Sequence, residues 1–378
     1  MRLSPPAVLF AVIGLAGLAL PLVQFKANRI VAGKGAFLAD LPTGSLATAA
    51  IGAVLAAGCL AQWPATLRLA AAVAGLGAVT LFLGLAANHL TPEGNSLARV
   101  SPSSGFWLLL LAFGLMLADA VNRLRPSLSL RWMLLAGAVG LAAAILGSGL
   151  LDGVSVMREY ASRRDLFLRE AQAHLTLAFG SLGLALLVGI PAGIAIFQAP
   201  RWRGPVLGVL NILQTIPSLA LFGIMIPVLG WIAATLPGVA AAGISGIGTV
   251  PALIALFLYS LLPVVSNTLT GLSGVPAAVR DAALGLGMTR AQVLGQVLVP
   301  LALPVLLAAV RIVLVQNIGL AVIAGLIGGG GFGTFVFQGL NQTAMDLVLL
   351  GALPTIALAL VAGIALDLLV QATRRGAA

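Results

Sequence analysis

Asp281-Ala282-Ala283-Leu284-Gly285-Leu286-Gly287, continuing through Thr289 and Arg290 to Val299-Pro300, is a polar interruption in a chain otherwise built to leave water. Its residues read as a short helix, a turn and a second short helix. Asp281 reads as a first-turn residue, where a carboxylate favours the positive end of the helix dipole. Ala282 and Ala283 present a thin surface over which another backbone approaches, and Gly287 permits a turn that a Cβ would obstruct. Thr289 is placed to N-cap a helix from Arg290 to Leu298, and Pro300 to end that helix before the next apolar run. An ordinary connector, with Ala and Gly present by composition alone, is the competing reading. The spacing favours a surface made to be gripped by another protein.

Composition sets the surroundings of this loop. Hydrophobic residues make up 60% of the chain and charged ones 8%, with a mean hydropathy of +1.13. That excludes a soluble domain and predicts an all-α polytopic membrane protein. The formal charge of +10 is carried mainly by arginines in short connectors, so it marks topology and points to no nucleic-acid partner. Cys59 is the single cysteine, which excludes an internal disulfide and a thiolate metal site. His89 and His174 lie far apart without a metal-binding spacing, so no metal is expected. A P-loop needs Gly-Lys before Ser or Thr, and Lys26 and Lys34 are not so placed. No cofactor is therefore expected in this chain.

Spans of roughly 20 residues are needed to cross a bilayer, which predicts about ten transmembrane helices. They fall near residues 5–23, 44–61, 66–87, 105–121, 131–151, 174–198, 205–230, 250–271, 301–325 and 347–371. Arg2 before the first resembles the start of a signal peptide, yet no small-x-small cleavage site follows at a suitable distance. Alternation puts Arg68, Arg123, Arg125, Arg131, Arg201, Arg203, Arg280, Arg290, Arg374 and Arg375 on one side, the expected cytoplasm. The Asp281 loop and the carboxy terminus share that side. Lys26, Arg29 and Lys34 disagree, falling outside. The chain divides near residue 152: a five-span amino-terminal part (1–152), a charged extracytoplasmic connector (153–173), and a second membrane part (174–372).

Within the second part, Asn211, Gln214, Thr215 and Ser218 stand at i, i+3, i+4 and i+7, giving the seventh span one polar face. Such a stripe either packs against a neighbouring helix through hydrogen bonds or lines a solute route, and Pro217 beside it favours the route. Arg311 at mid-depth must face a cavity, a partner group or the cytoplasmic water, or snorkel along its helix. Gln316 and Asn317 continue its polar character. Ser266, Asn267 and Thr268 read as a polar patch or as helix-end capping. Tyr259 offers a cation–π face to a quaternary ammonium, or simple packing. Gly328-Gly329-Gly330-Gly331-Phe332-Gly333 does not hold a regular helix and predicts an irregular cap or re-entrant turn buried in protein, an outer gate.

The Asp281 loop resembles the EAA loop of ABC-importer permeases, with Asp281 for the usual Glu and Val299 for the usual Leu. Gly189-Ile190-Pro191-Ala192-Gly193, Asn211 to Ala220, Leu258 to Pro263 and Asn267 to Leu272 are similar to permeases of the osmoprotectant branch, which imports glycine betaine, choline or carnitine. The likeness runs from about residue 170 to 371, and the extra spans before it resemble a long form. It implies a type I permease core with an ATPase-coupling loop over 272–300, in which Asp281, Ala282, Ala283, Gly285, Gly287, Thr289, Arg290 and Pro300 take part. It further implies a bacterial inner-membrane location, a cytoplasmic ATPase subunit holding ATP and Mg, an extracytoplasmic solute-binding protein, and a second permease copy or paralogue. The competing expectation is an ion-coupled secondary transporter, for which Asp119, Asp346 and Asp367 are the candidate carboxylates.

Overall fold

The computed structural model of the protein describes residues 5–28, 31–58, 63–92, 94–95, 97–239 and 244–376, among which eight helices are long and apolar enough to cross a membrane. Arg2, Arg29 and Cys59 lie outside the described residues. Of the ten expected spans, eight are that long among the described residues, and the first two are shorter there. Helices α1 (Pro5–Leu18) and α2 (Gly44–Gly58) have 14 and 15 residues. At 1.5 Å per residue their described lengths are about 21–23 Å.

Two compact units divide between Ser162 and Arg163. In the first, β1 (Val23–Lys26) pairs antiparallel with β2 (Lys34–Ala36) and with β3 (Arg99–Pro102), Val23 lying opposite both Ala36 and Pro102. The basic connector that disagreed with the sidedness pattern is therefore folded as a sheet, an element the all-α expectation did not contain. Helix α3 (Ala65–Leu90) packs on α4 (Ser104–Leu124), where Gly75 receives the ring of Phe113; a Cβ there would lie 2.3 Å from it. At one end Arg68, fully buried, holds Asp119 at 2.5 Å, and Arg123 holds the same carboxylate at 2.9 Å. Helix α5 (Leu128–Gly147) buries no residue, and α6 (Ser155–Ser162) closes the unit, its Ser155 3.1 Å from Ser101.

The second unit begins with α7 (Arg164–Gln198), 35 residues long. Arg164 to Gln172, expected within a separate charged connector, are instead its opening turns. Gly189 and Gly193, four apart, bring α7 against α10 (Thr249–Ser273): a Cβ at either would come within 2.7 Å of Val264 or Thr268. Three helices are tied by one buried amide. Asn317 of α13 (Val299–Leu320) donates to Ser181 of α7 at 2.8 Å and accepts from Ser260 of α10 at 3.0 Å. Between α7 and α10 come α8 (Arg203–Thr215) and α9 (Ser218–Thr235); after α10 come α11 (Ala277–Gly285) and α12 (Arg290–Gln292). After α13, α14 (Gly333–Asn341) is a short helix leading to α15 (Met345–Gly376).

The entry to α14 leaves no room. A Cβ on Gly333 would lie 1.7 Å from the Val322 carbonyl oxygen, whereas one on Gly319, inside α13, meets nothing within 4 Å. Gly333→Ala should lower the thermal unfolding midpoint of the purified protein, by an overpacking penalty of about 1–3 kcal/mol or more. Gly319→Ala should leave it unchanged or slightly raised, which size-exclusion recovery after stepwise heating would show.

Candidate functional site

The loop after α10 folds as two capped turns. Pro276, with its fixed φ, stands at the entry of α11, so the helix starts at Ala277 and Asp281 lies in its middle. This corrects the first-turn reading: Asp281 faces outward with Arg280 3.7 Å away and does not cap the dipole. Ala283 is the residue turned inward, against Leu272, Val293, Leu298 and Ala302. The helix ends in a Schellman motif, with Met288 N–H donating to the Ala283 carbonyl at 3.2 Å and Gly287 N–H to that of Leu284 at 2.9 Å. Gly287 sits at φ +84°, the left-handed geometry its sequence position predicted. Thr289 then caps α12 in a full capping box, its side chain accepting from Gln292 N–H while its own N–H donates to the Gln292 side chain at 2.8 Å.

What these turns present outward is apolar. Leu286 is 85% exposed at the tip, beside exposed Val279, Leu284, Ala282 and Gly285. Arg280, Asp281 and Arg290 ring them. Pro300 does not end the second helix. A π-helical turn over Val293–Leu298 shifts the bonding register, Val299 N–H reaching the Leu294 carbonyl, so the chain passes the proline and stays helical from Arg290 to Leu320. The loop and the span carrying Arg311 and Gln316 are thereby one continuous rod.

The expected polar stripe is broken at Pro217. Ile216 is extended at ψ +124°, as the residue before a proline prefers, so α8 stops at Thr215 and Ser218 opens α9. The orphaned Ile216 carbonyl accepts the Tyr259 hydroxyl. A second proline calls for the reciprocal bond. Pro263 has no N–H to give the Tyr259 carbonyl, and Gln214 Nε2 supplies it at 2.8 Å. Around this junction lies an open cavity of about 360 Å³ lined by Gln214, Thr215, Ser218, Tyr259 and Gln316, five of the residues chosen from sequence.

The remaining candidates go elsewhere. Asn211 is exposed on α8 away from the cavity. Asn267 is neither a lining residue nor a helix cap: within α10 its Nδ2 donates back to the Pro263 carbonyl at 2.7 Å, and Thr268 bonds Val264 in the same way. Asn317 is the buried tie described above and does not line this cavity. Tyr259 is buried, so its ring serves packing and its hydroxyl the helix break. Arg311 has a charged partner that sequence spacing did not reveal, Asp367 of α15, which also accepts from Gln371 Nε2 at 2.8 Å.

At the other end of the unit, Gly328, Gly330 and Gly331 all have positive φ, and Gly329, Gly331, Phe332 and Gly333 are buried. Several bonds from the protein hold the loop. Gly248 N–H donates to the Ile327 carbonyl at 2.8 Å, His174 Nδ1 accepts from Phe332 N–H at 3.3 Å, and Thr334 donates to Glu170 at 3.1 Å. Sequence reasoning set His174 aside because a lone histidine has no spacing signal.

Residues 185–375 match the family model described as binding-protein-dependent transport system inner membrane component. The chain belongs to that family. Residues 2–157 match a second model, the N-terminal domain of the ABC transporter permease YehY. The permease is 42% identical over 188 residues to the osmoprotectant import permease protein OsmW of Salmonella typhimurium, spanning 50% of this chain and 82% of the relative. It is 38% identical to the choline transport system permease protein OpuBB of Bacillus subtilis, over 50% of this chain and 79% of that one. With the carnitine transport permease protein OpuCB of Listeria monocytogenes it shares 39% over 51% and 81% of the two chains. The inward-facing MetNI methionine ABC transporter aligns with a TM-score of 0.49 at 23% identity, over 56% of this chain and 98% of that chain. The permease is thus a multi-pass transport subunit of an ABC importer, whose family works with an ATPase and a substrate-binding protein.

Tyr259→Phe isolates the junction. It leaves the part-buried Ile216 carbonyl without its protein donor beside the open cavity, a loss of about 1 kcal/mol. Uptake by the reconstituted importer should fall while Tyr259→Phe protein still co-purifies with the ATPase; unchanged uptake and stability would show that the bond is dispensable.

Proposed function

We propose that this permease imports a small osmoprotectant of the quaternary-ammonium class, glycine betaine foremost, through a route that passes the Gln214–Ser218–Tyr259–Gln316 cavity. The names of its relatives, which are osmoprotectant, choline and carnitine permeases, support the solute class. One observation carries the mechanism: the apolar tip at Leu286 is held out by a Schellman turn and a capping box and is continuous, through the π-helical turn, with α13. In this reading the ATPase subunit, which binds ATP and Mg, seats its surface on Ala277–Gln292 at the cytoplasmic face, where the carboxy terminus also lies. A second copy of the permease or a paralogue completes the route. ATP-driven closure of the ATPase pair displaces α11 and α12, and α13 carries that displacement to Gln316. The Gly328–Gly333 cap closes the opposite end, facing the solute-binding protein. This chain performs no chemistry on the solute or on ATP.

Gly287→Asp tests the coupling. At φ +84° any Cβ is strained by roughly 1 kcal/mol, yet the space around it is open, so the bundle should insert and accumulate normally. In proteoliposomes with ATPase and binding protein, labelled glycine betaine uptake should stop and the binding protein should no longer stimulate ATP hydrolysis. Uptake at the unmodified rate would remove the loop from the mechanism.

A further inference from the structure

A charged pair stands in the wall of a second cavity, of about 680 Å³, between α13 and α15. Arg311 and Asp367 are ion-paired there, yet their side chains are 41% and 43% exposed. Asp367 lies nine residues before Gly376, roughly 13 Å up the helix from its end, and Arg311 is well inside α13. Half-exposed charges flanked by apolar side chains are accommodated where water or solute reaches them and not against acyl chains. Apart from Gln316 the rest of the wall is apolar, chiefly Ile312, Val315, Leu360 and Ile364. Gln316 lines this cavity and also the one at Tyr259, so the two are neighbours along one face.

We propose that Arg311 and Asp367 form a subsite for zwitterionic solutes, an inference that rests on the osmoprotectant reading and narrows it. When empty, the pair neutralises itself and leaves no uncompensated charge in the membrane. An exposed pair of this kind contributes little net stability, so it is cheap to part. A zwitterion re-pairs both members at once. Its carboxylate takes the planar guanidinium fork of Arg311, and its trimethylammonium group, which has no hydrogen to donate, needs only the Asp367 charge and the apolar wall. Gln371 holds the Asp367 carboxylate in place meanwhile. A cation such as choline would leave Arg311 unpaired.

The test measures uptake of labelled glycine betaine and labelled choline by proteoliposomes holding the full complex with its binding protein. Arg311→Gln leaves Asp367 alone and should move the betaine-to-choline ratio of kcat/KM toward choline by about ten-fold or more; Asp367→Asn leaves Arg311 alone and should move it the opposite way. Should either variant fail to assemble, Arg311→Lys keeps the ion pair but not the fork and should raise the KM for glycine betaine. Parallel loss of both solutes, or an unchanged ratio, would mean a purely structural pair and overturn the subsite. If the unmodified complex took up neither solute, the osmoprotectant reading itself would fall, and the subsite with it.

Discussion

A backbone carbonyl or N–H inside a bilayer must be paired within the protein, and the second unit is organised by how it meets that demand wherever a helix breaks. Tyr259 is the clearest case. Its hydroxyl answers the carbonyl freed at Ile216 by the Pro217 break, and its own carbonyl, freed by Pro263, is answered by Gln214. Two prolines on different helices thus compensate each other through one tyrosine and one glutamine. The break opens a cavity beside this repaired junction, and Gln214 and Tyr259, which make the repair, are part of its polar lining.

The same demand shapes both ends. At the glycine run, left-handed residues turn the chain tightly enough to bury it, and His174, Glu170 and Gly248 supply the bonds. At Pro300 the repair is made along the chain, by a π-helical turn that keeps α12 and α13 in one rod. A broken helix there would isolate the loop from the span. In the proposed coupling this continuity would carry a push on Leu286 to Gln316, and the Asn317 tie to Ser181 and Ser260 joins that rod to α7 and α10.

Features set by nearby residues were legible in the sequence. Thr289 with Gln292 three residues on, and Gly287 after a run of alanines, specify a cap and a turn by local bonding alone. The long apolar runs likewise declare their spans. Features that depend on distant partners were not legible. Asp367 read as a lone acid at a span end because Arg311 is 56 positions away. The stripe through Ser218 assumed one helix, and Ile216 before Pro217 already argued against it. Asn317 read as a pathway residue because single serines such as Ser181 and Ser260, buried in apolar runs, carry no spacing signal. Tyr259 had an overlooked one: a proline four residues later always leaves its carbonyl in need of a donor.

In the proposed coupling the exposed tip of the Ala277–Gln292 segment is covered by the ATPase. The most direct measurement replaces Cys59, introduces Leu286→Cys, and follows labelling by an impermeant maleimide in inside-out vesicles with and without the ATPase subunit bound. Stripped vesicles should label rapidly, and the assembled complex should be strongly protected. Equal labelling in both would contradict the proposed coupling.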